Sequence, residues 1–537
     1  MDGGLVSAAG LQVVVADQIH VALFSLLLCC YANTQQRNNG DRKVRFPKVQ
    51  RESGHRRTLL RHIVEIRRHL DFRNRVRGSY TKNGCAPVLL LSKPRGPRHC
   101  SSTLARIKSV RKTPRQQGSQ SWAETKAVEF IKAILDKEGI SSEIFASDKN
   151  RANLVARIKG NGKRRPLLLM GHTDVVGVER EKWTVDPFGG VIKDGYLYGR
   201  GSGDDKDNAA VTLQILLMLH RQKTPLDRDV IALWESGEEA TTSVGIEYMV
   251  REHWDKIDSE FAILEGGGIV TEKEKVVYVG VATTEKVPNT TTLIARGTSG
   301  HGSMPRPDNP IVHLAAAVAK LAEYQPPMRL NETTRAYFQR LATVSSPEDA
   351  FLYTHIEDPV LGPMVQEQLR KTMLSQNSNL RTSISPNIIK GGFRSNVIPG
   401  DAEATLDVRA LQDEDMTEFY ASLRRVINDP SVEVVPPKNP GRPKSAPSRL
   451  DSDLFRALER AQAKIFPGAI TIPSMLNGAT DGAYLRGKGV QAYGVGSYVE
   501  NGESLAHGND ERVSLEGVGK FLEFVYDAVI DVAGAKN

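Results

Sequence analysis

A histidine and an aspartate end an apolar run of strand type in LLLMGHTDVV, residues 167–176. On a β-strand, residues two apart point to the same face, so His172 and Asp174 would lie side by side at the end of a buried strand. In an α/β sheet, ligands bind at that end of the strands. The pair is therefore a candidate binding site, although a histidine that is simply hydrogen-bonded to a nearby acid would show the same pattern.

Further candidate ligands follow the other strand-like segments of this region. Asp204 lies in a Gly-rich turn after DGYLYGRGSG, and the pair Glu238 and Glu239 follows DVIALWESG. Glu265 follows FAIL, and His507 comes much later, in LAHGNDE. Several such side chains at successive strand ends are difficult to obtain by chance, because that edge of a sheet is where side chains converge.

The chemistry of this set favours two cations. Two histidines, three carboxylates and no thiolate exceed the needs of one tetrahedral zinc ion and suit two divalent ions. Ions about 3.5–4 Å apart share a carboxylate, since each of its oxygens can bind one of them. Adjacent glutamates fit this arrangement, because one can bind an ion while its neighbour faces the water between the ions. Asp174 can accept the other ring N–H of His172 and so fix the tautomer that binds metal.

Strands and helices that could position these residues alternate from about residue 122. Strands are predicted in NLVARIKG, RPLLLMGH, DVIALWES and FAILEGGG, and helices in AETKAVEFIKAILDKEGI, NAAVTLQILLMLHRQ and VGIEYMVREHW. Apolar strands separated by helices indicate an α/β domain with a mainly parallel sheet that is covered on both faces.

Near residue 284 the pattern changes. Alternating strands are predicted in TTTLIARG, AEATLDVRAL and SVEVV, with a helix in NPIVHLAAAVAKLAEY and a helical insertion at about 326–385. NPGRPKSAPS is typical of a linker, and SDLFRALERAQAKIF, GVQAYGVG and GVGKFLEFVYDAV predict a helix, a strand and a final helix. We therefore expect a small α+β domain at 284–438, inserted between catalytic segments 118–283 and 439–537.

Residues 1–117 form a basic extension. Residues 1–115 contain about 23 Lys and Arg against about 6 Asp and Glu, roughly +17, so the net charge of +9 does not belong to the remaining chain. The apolar stretch at 11–32 is interrupted by polar residues and is too short to span a bilayer. We expect disorder, with a nucleic-acid-binding arm or a start assigned too far upstream as alternatives. All four cysteines lie here, which excludes a disulfide framework or thiolate site in the body.

Motifs spread over about 400 residues resemble the M20 family of di-zinc metallopeptidases. They are MGHTDVV, W-x2-DPF, DGYLYGRGSGDDK, SGEEA, LEGGG, SGHGSMP, NVIPGDAEATLDVR and LAHGNDERV. GHGSMPRPDNP and LEGGG favour the carboxypeptidase S-like and N-acyl-amino-acid hydrolase branch of the family. The family also includes carboxypeptidase G2-like members. The resemblance implies a mainly parallel-sheet zinc-peptidase catalytic domain with an inserted α+β lid/dimerisation domain.

The resemblance also implies a ligand set for two divalent ions. Asp204 would bridge the ions, His172 and Glu265 would complete one site, and Glu239 and His507 would complete the other. Zinc is the expected metal, with cobalt or manganese as alternatives.

Further roles follow from the same motifs. Glu238 matches the general base, and Asp174 matches the aspartate that orients the first histidine. His301 matches a histidine that, in dimeric members, reaches the partner subunit's active site and stabilises the oxyanion. Asn396 and Arg409 match lid residues that hold the substrate, and the Arg409 guanidinium is well shaped for a free carboxylate.

Three features depart from the family pattern. Gly237 replaces the usual aspartate before the two glutamates, and we expect it to loosen the strand end without removing a ligand. Gly177 replaces a proline after DVV. The helix and loop that normally open the fold are hard to find before Trp122.

The sequence thus predicts a metal-dependent hydrolase of carboxypeptidase or aminoacylase type. Its substrate would be a small peptide or N-acyl amino acid, cleaved next to a free carboxylate. We expect a homodimer through the lid domain and no nucleic-acid or membrane partner. The alternatives are an aminopeptidase or dipeptidase on the same scaffold, which needs an acid to hold a free amine, and a nucleic-acid-associated protein that uses the extension. A cytoplasmic location is favoured, with secretion as the alternative.

Overall fold

Buried strands that end in polar side chains form the centre of the molecule. The computed structural model describes residues 124–438, 441–502 and 504–536. The basic extension, its four cysteines and the apolar stretch at 11–32 lie outside these ranges, so the predictions made for them stay predictions. Within the described ranges, no helix has both the length and the apolar character that crossing a bilayer requires.

The strands belong to two larger sheets and two small ones. They are β1 (Ser142–Asp148), β2 (Arg151–Ile158), β3 (Leu167–His172), β4 (Val191–Lys193), β5 (Tyr196–Tyr198), β6 (Val230–Glu235), β7 (Phe261–Leu264), β8 (Gly268–Glu272), β9 (Lys275–Glu285), β10 (Val287–Arg296), β11 (Gly300–His301), β12 (Ser383–Gly391), β13 (Val397–Ile398), β14 (Asp401–Ala410), β15 (Val432–Val435), β16 (Ile470–Leu476), β17 (Gln491–Gly494), β18 (Tyr498–Glu500) and β19 (Arg512–Ser514).

The helices cover the sheets or form a separate layer. They are α1 (Glu124–Lys137), α2 (Lys206–Gln222), α3 (Ile246–Glu252), α4 (Trp254–Ile257), α5 (Pro310–Glu323), α6 (Glu332–Ala342), α7 (Pro347–Thr354), α8 (Gly362–Thr372), α9 (Leu374–Asn379), α10 (Met416–Ile427), α11 (Asp453–Ile465), α12 (Gly482–Gly487) and α13 (Leu515–Ala533). Short 3₁₀ turns occur at Arg180–Lys182 and Thr242–Val244.

The largest sheet lies mostly in the segments predicted to be catalytic, so we name it the catalytic sheet. It has ten strands in the order β1-β2-β6-β3-β7-β17-β9-β8-β18, with β16 also paired to β9. Five pairings are parallel and four are antiparallel, and the parallel strands β6, β3, β7 and β17 are neighbours at its centre. Every residue of β3, β6 and β7 is buried, as expected for parallel strands covered on both faces. The predicted α/β fold with a mainly parallel sheet is confirmed.

Helix α2 is buried on almost all sides. It begins immediately after the Asp204 turn, and its residues from Lys206 to Leu219 are buried. The apolar residues of this helix, from Ala209 to Leu219, pack in the core, and the helix contacts the sheet and α13. Because the helix is held in the core, it also holds the turn that carries Asp204, which directly precedes it.

The four-stranded sheet lies in the predicted lid domain, so we name it the lid sheet. It is antiparallel, in the order β12-β14-β10-β15. Helices α5 and α10 cover it, and the shared core includes Leu293, Leu314, Leu406 and Leu423. Helices α6 to α9 form the predicted helical insertion, and their cluster packs on β16 through Ile472. The domain boundaries chosen from the sequence stay a prediction.

Candidate metal centre

Three neighbouring parallel strands bring candidate ligands to one edge of the catalytic sheet. His172 is the last residue of β3, Glu239 follows β6, and Glu265 follows β7. The strands β6 and β7 pair with β3 on its two sides. Because the carboxyl ends of parallel neighbours meet at the same edge, these three side chains converge above it.

Asp204 lies between the two histidines. Its Oδ1 atom is 3.0 Å from His172 Nε2, and its Oδ2 atom is 3.0 Å from His507 Nε2. Glu265 Oε2 is 3.8 Å from His172 Nε2, and Glu239 Oε2 is 3.0 Å from His507 Nε2. Two groups of possible ligands result, and they share the Asp204 carboxylate. In each group the ligand atoms lie within 4.8 Å of one another: His172, Asp204 and Glu265 in the first, and Asp204, Glu239 and His507 in the second.

Asp174 connects the histidine strand to the two glutamates. Its Oδ1 atom lies 3.4 Å from His172 Nδ1 and accepts the backbone N–H of Glu238. Its Oδ2 atom accepts the backbone N–H of Glu239. The structure therefore places Asp174 behind the ligands, where it can orient the imidazole and the Glu238–Glu239 turn together.

The acidic surroundings control the protonation of both histidines. Burial would lower the pKa of His172, but hydrogen bonds to the carboxylates of Asp174 and Asp204 raise that pKa well above its usual value. Hydrogen bonds to Asp204 and Glu239 raise the pKa of His507 to about 10. Protons and metal ions must therefore compete for these ring nitrogens, and metal binding would release protons.

The donor set fits divalent cations. Imidazole nitrogen and carboxylate oxygen are the ligands that zinc, cobalt and manganese accept, and the shared Asp204 can bind two ions at once. Burial raises the pKa of the Glu265 carboxyl, and the nearby Glu238 carboxylate raises it further. Such crowding of acids is costly without positive charge, and two divalent ions would supply it.

Arg442 contacts the candidate base and was not anticipated from the sequence. Its Nη2 atom donates to Glu238 Oε1 at 2.6 Å and to the Glu238 carbonyl oxygen at 2.9 Å. Asp481, which is fully buried, lies 3.4 Å from the same Nη2 atom. Because NPGRPKSAPS has the composition of a linker, no sequence signal distinguished its arginine from an exposed one.

The structure places the three predicted lid residues in different surroundings. Arg409, on β14, lines a cavity of about 360 Å³ together with Glu238, Arg442, the shared Asp204 and three other candidate ligands. His301 and Asn396 are exposed and do not line this cavity; they adjoin each other, since the Asn396 carbonyl accepts the N–H of Gly302. The structure thus brings Arg409 to the candidate ligands and leaves His301 and Asn396 away from those of their own chain.

Gly237 has a more specific role than a loosened strand end. Its φ is 86°, in the left-handed region that favours glycine. A β-carbon at this position would lie 2.4 Å from the Thr241 carbonyl oxygen. The turn that presents Glu238 and Glu239 therefore requires glycine here.

Comparison with known sequences identifies relatives of this chain. The model of peptidase family M20/M25/M40 matches residues 168–531. Probable carboxypeptidase S-like 2 from Dictyostelium discoideum is 28% identical over 377 residues, which cover 68% of this chain and 71% of that protein. N-fatty-acyl-amino acid synthase/hydrolase PM20D1 from Xenopus tropicalis is 30% identical over 370 residues, which cover 67% of this chain and 71% of that protein.

Solved structures show the same fold. The M20 family metallo-carboxypeptidase from Sulfolobus solfataricus is 18% identical, with a TM-score of 0.57 and coverage of 80% of this chain and 98% of its own. The YXEP protein of Bacillus subtilis, a dinuclear metal binding peptidase, is 13% identical, with a TM-score of 0.51 and coverage of 81% and 97%. The family match includes the strands that carry the candidate ligands. The chain therefore belongs to peptidase family M20/M25/M40, and it is a metallopeptidase-type hydrolase of that family.

Proposed function

We propose that this hydrolase uses two divalent ions and Glu238 to cleave a peptide or N-acyl amide bond next to a free carboxylate. The observation that carries the proposal is one cavity that is lined by four of the five candidate ligands, Asp204, Glu239, Glu265 and His507, and also by Glu238 and Arg409. A nucleophile, a proton acceptor and an anchor for an anion can all act on one small substrate in that space.

Glu238 is the proposed general base. Bound ions supply Lewis acidity, which lowers the pKa of water and polarises a carbonyl group. The Glu238 carboxyl group would take a proton from the attacking water and return it to the leaving amine. Burial raises the pKa of Glu238 and the Arg442 charge opposes that effect, and the ion pair with Arg442 fixes the position of the Glu238 carboxylate.

Two guanidinium groups support a substrate that carries a carboxylate. Arg409 lies in the cavity with its Nε and Nη2 atoms on Asp407, and it is half-buried. Arg442 has a buried Nη1 atom without a hydrogen-bond partner in the described structure. A substrate carboxylate bound between Arg409 and Arg442 would place the adjacent amide near the two groups of candidate metal ligands. The names of the carboxypeptidase S-like and PM20D1 relatives fit substrates of this kind.

The experiment that tests the proposal replaces Glu238. We expect Glu238→Gln to reduce kcat about 10²–10⁴-fold, because the amide cannot accept the proton, while both ions remain bound. Zinc-, cobalt- and manganese-loaded protein would be assayed on N-acyl amino acids and on dipeptides, with metal content measured in parallel. Near-normal turnover by the variant would refute the role of Glu238, and absence of bound metal from active wild-type protein would refute the two-ion proposal.

A homodimer through the lid is part of the proposal. Strand β12 is one of the two outer strands of the lid sheet, and Ile389 on it and Phe393 just after it are 60% and 80% exposed. Unpaired edge strands with apolar side chains favour pairing with another chain. Such a dimer could bring His301 and Asn396 to the other subunit's cavity, which would explain why both lie away from the ligands of their own chain.

A dipeptidase is the second candidate, because the structure offers an acid for a free amine. Glu500 lies on the wall of a cavity of about 300 Å³ that also includes Asp204 and Glu265. Its Oε1 atom accepts a hydrogen bond from Tyr196 at 2.6 Å, and its side chain is half-buried. A strong preference for dipeptides over their N-acetylated forms, lost in Glu500→Gln, would favour this candidate over the N-acyl amino acid hydrolase.

A further inference from the structure

A buried ion pair lies beside the candidate metal centre and belongs to neither ligand group. Arg200 Nη1 and Glu511 Oε2 are 2.6 Å apart, and their side chains are only 3% and 1% exposed. The two residues come from different predicted catalytic segments, 311 positions apart. Burial of an ion pair is costly unless its remaining hydrogen-bonding groups are also satisfied, so its other contacts are informative.

Glu511 holds the turn of the shared ligand. Its Oε1 atom accepts the backbone N–H of Gly203 at 3.1 Å and of Asp204 at 3.3 Å. The Glu511 carbonyl oxygen accepts the N–H of Gly199 at 2.9 Å, at the start of the same turn. Both ends of the turn that presents Asp204 are therefore attached to one residue.

Arg200 holds the second histidine. Its Nη2 atom donates to the His507 carbonyl oxygen at 3.1 Å, and its guanidinium carbon lies 5.2 Å from the ring centroid of Trp183. His507 has a φ of 64°, a left-handed conformation that residues other than glycine seldom adopt. Such a conformation persists only where surrounding contacts hold it, and the bond from Arg200 is one of these contacts.

The first ligand group has separate supports. His172 has Asp174 at its ring Nδ1 and donates its backbone N–H to Asp205 at 3.2 Å, and it ends a fully buried strand. Glu265 directly follows another buried strand, β7. Neither residue depends on Arg200, so loss of the ion pair should affect the two groups unequally.

We propose that Arg200 and Glu511 are positioning residues for the second cation, the one that Asp204, Glu239 and His507 would bind. The inference rests on the proposed two-ion function. Through Arg200, the pair fixes the backbone of His507; through Glu511, it fixes the backbone of Asp204. It thereby joins two ligands that are far apart in the chain.

Arg200→Lys tests the proposal, because lysine keeps the charge but lacks the planar fork that reaches Glu511 and His507 together. Equilibrium dialysis with Zn²⁺ would count the bound ions and give both dissociation constants, and Co²⁺ absorption would report the environment of each. We expect the dissociation constant of the second ion to rise about 10–100-fold, the range seen for residues that orient metal ligands. That of the first ion should rise much less, because the ion pair contacts only one of its three ligands, the shared Asp204. His507→Ala, which removes a ligand of the second group, identifies the ion that must be affected.

Two further variants separate positioning from general destabilisation. The double variant Arg200→Met/Glu511→Leu removes both buried charges, so that neither is left unpaired. It should weaken the binding of the second ion as Arg200→Lys does. Arg228→Met breaks the pair between the buried Arg228 guanidinium and the partly exposed Glu260 near the opposite ends of the strands, and it should leave both dissociation constants unchanged. Unaltered or equally weakened binding of both ions in Arg200→Lys would overturn the inference while leaving the proposed function intact. A wild-type protein that binds no second ion would instead overturn the proposed function.

Discussion

The edge of the catalytic sheet and the lid contribute to the same cavity in different ways. His172 ends one of three adjacent parallel strands, and Glu239 and Glu265 follow the other two, so the pairing of those strands determines how far apart these residues lie. Arg409 enters from a second sheet, and its position depends on the two segments that join the sheets. The comparison teaches that the pairing of strands in one sheet places three of the five candidate ligands, whereas substrate binding depends on how the lid is placed.

The first prediction tests the sheet-edge half of this comparison and has the largest expected effect. Asp204→Asn removes the charge shared by both ligand groups and leaves only one oxygen between the histidines. We expect kcat/KM to fall at least about 10³-fold, because two-metal catalysis needs both ions in place. Metal analysis should find fewer than two ions in each chain.

Asp229→Asn is the matched control, since Asp229 binds Arg157 and Lys159 just before the start of β6, away from the ligands. It should retain both ions. If Asp204→Asn also retained both ions and normal turnover, the assignment of the sheet edge as the metal centre would fail.

The second prediction asks whether the lid acts on its own chain or on another. We expect His301→Ala to lower kcat about 10²–10³-fold through loss of oxyanion stabilisation. Mixing this variant with Glu238→Gln should restore about a quarter of wild-type activity, because random pairing gives roughly half mixed dimers, each with one complete site.

The unmixed variants are the control, and subunit exchange can be followed by native mass spectrometry. If mixing restores nothing although mixed dimers form, His301 does not act across the dimer. If the protein is monomeric and His301→Ala has normal activity, the dimer part of the proposal is wrong.

The same difference explains what the sequence could predict. The ligand groups were predictable because apolar runs such as LLLMGH and DVIALWES mark buried strands, and buried parallel strands align their carboxyl ends. The strands β8, β9 and β16 were missed, since KVVYVGVATTE and ITIPSML lack a clean alternation and depend on pairing with distant partners.

Side chains that act over long sequence separations were also missed. Arg442 reaches Glu238 from 204 positions away, and Glu511 reaches Arg200 from 311 positions away. Neither arginine nor glutamate carries a local pattern that distinguishes a buried ion pair from a solvated charge. Their partners are set by the tertiary fold, which a single sequence does not display.

The third prediction sharpens the role of the lid in substrate binding. Arg409→Lys should lower kcat/KM about 10–100-fold, mainly through KM, because lysine keeps the charge but cannot form a bidentate pair with a carboxylate. The comparison of a substrate with its C-terminal amide measures the effect, since the amide should bind wild type and variant alike.

Arg296→Lys is the matched lid control, because Arg296 is exposed and pairs with Glu433 on the same sheet. It should leave both kinetic constants unchanged. An equal loss for acid and amide substrates in Arg409→Lys would show that Arg409 supports the lid and does not bind the carboxylate.

The smallest predicted effect concerns Lys286, which lies where the catalytic sheet passes into the lid sheet. Its side chain is fully buried, and its ammonium group donates to the Arg381 carbonyl oxygen and to the hydroxyls of Ser378 and Ser383. Burial, together with the smaller effect of the Arg409 and Arg381 charges, lowers the pKa of Lys286 to about 7.

The sign of the resulting pH dependence follows from proton binding. An unfolded lysine has a pKa near about 10.4, so between about pH 7 and 10 the unfolded chain holds a proton that the folded chain has lost. The Lys286 contribution to stability therefore rises with pH in that window, with a slope approaching about 1.4 kcal/mol per pH unit, and is constant below about pH 7. Lys286→Met should reduce this slope in chemical unfolding, whereas the exposed control Lys371→Met should not. Identical slopes in wild type and Lys286→Met would mean that Lys286 stays protonated across this pH range. The junction of the two sheets would then contain a permanently charged lysine.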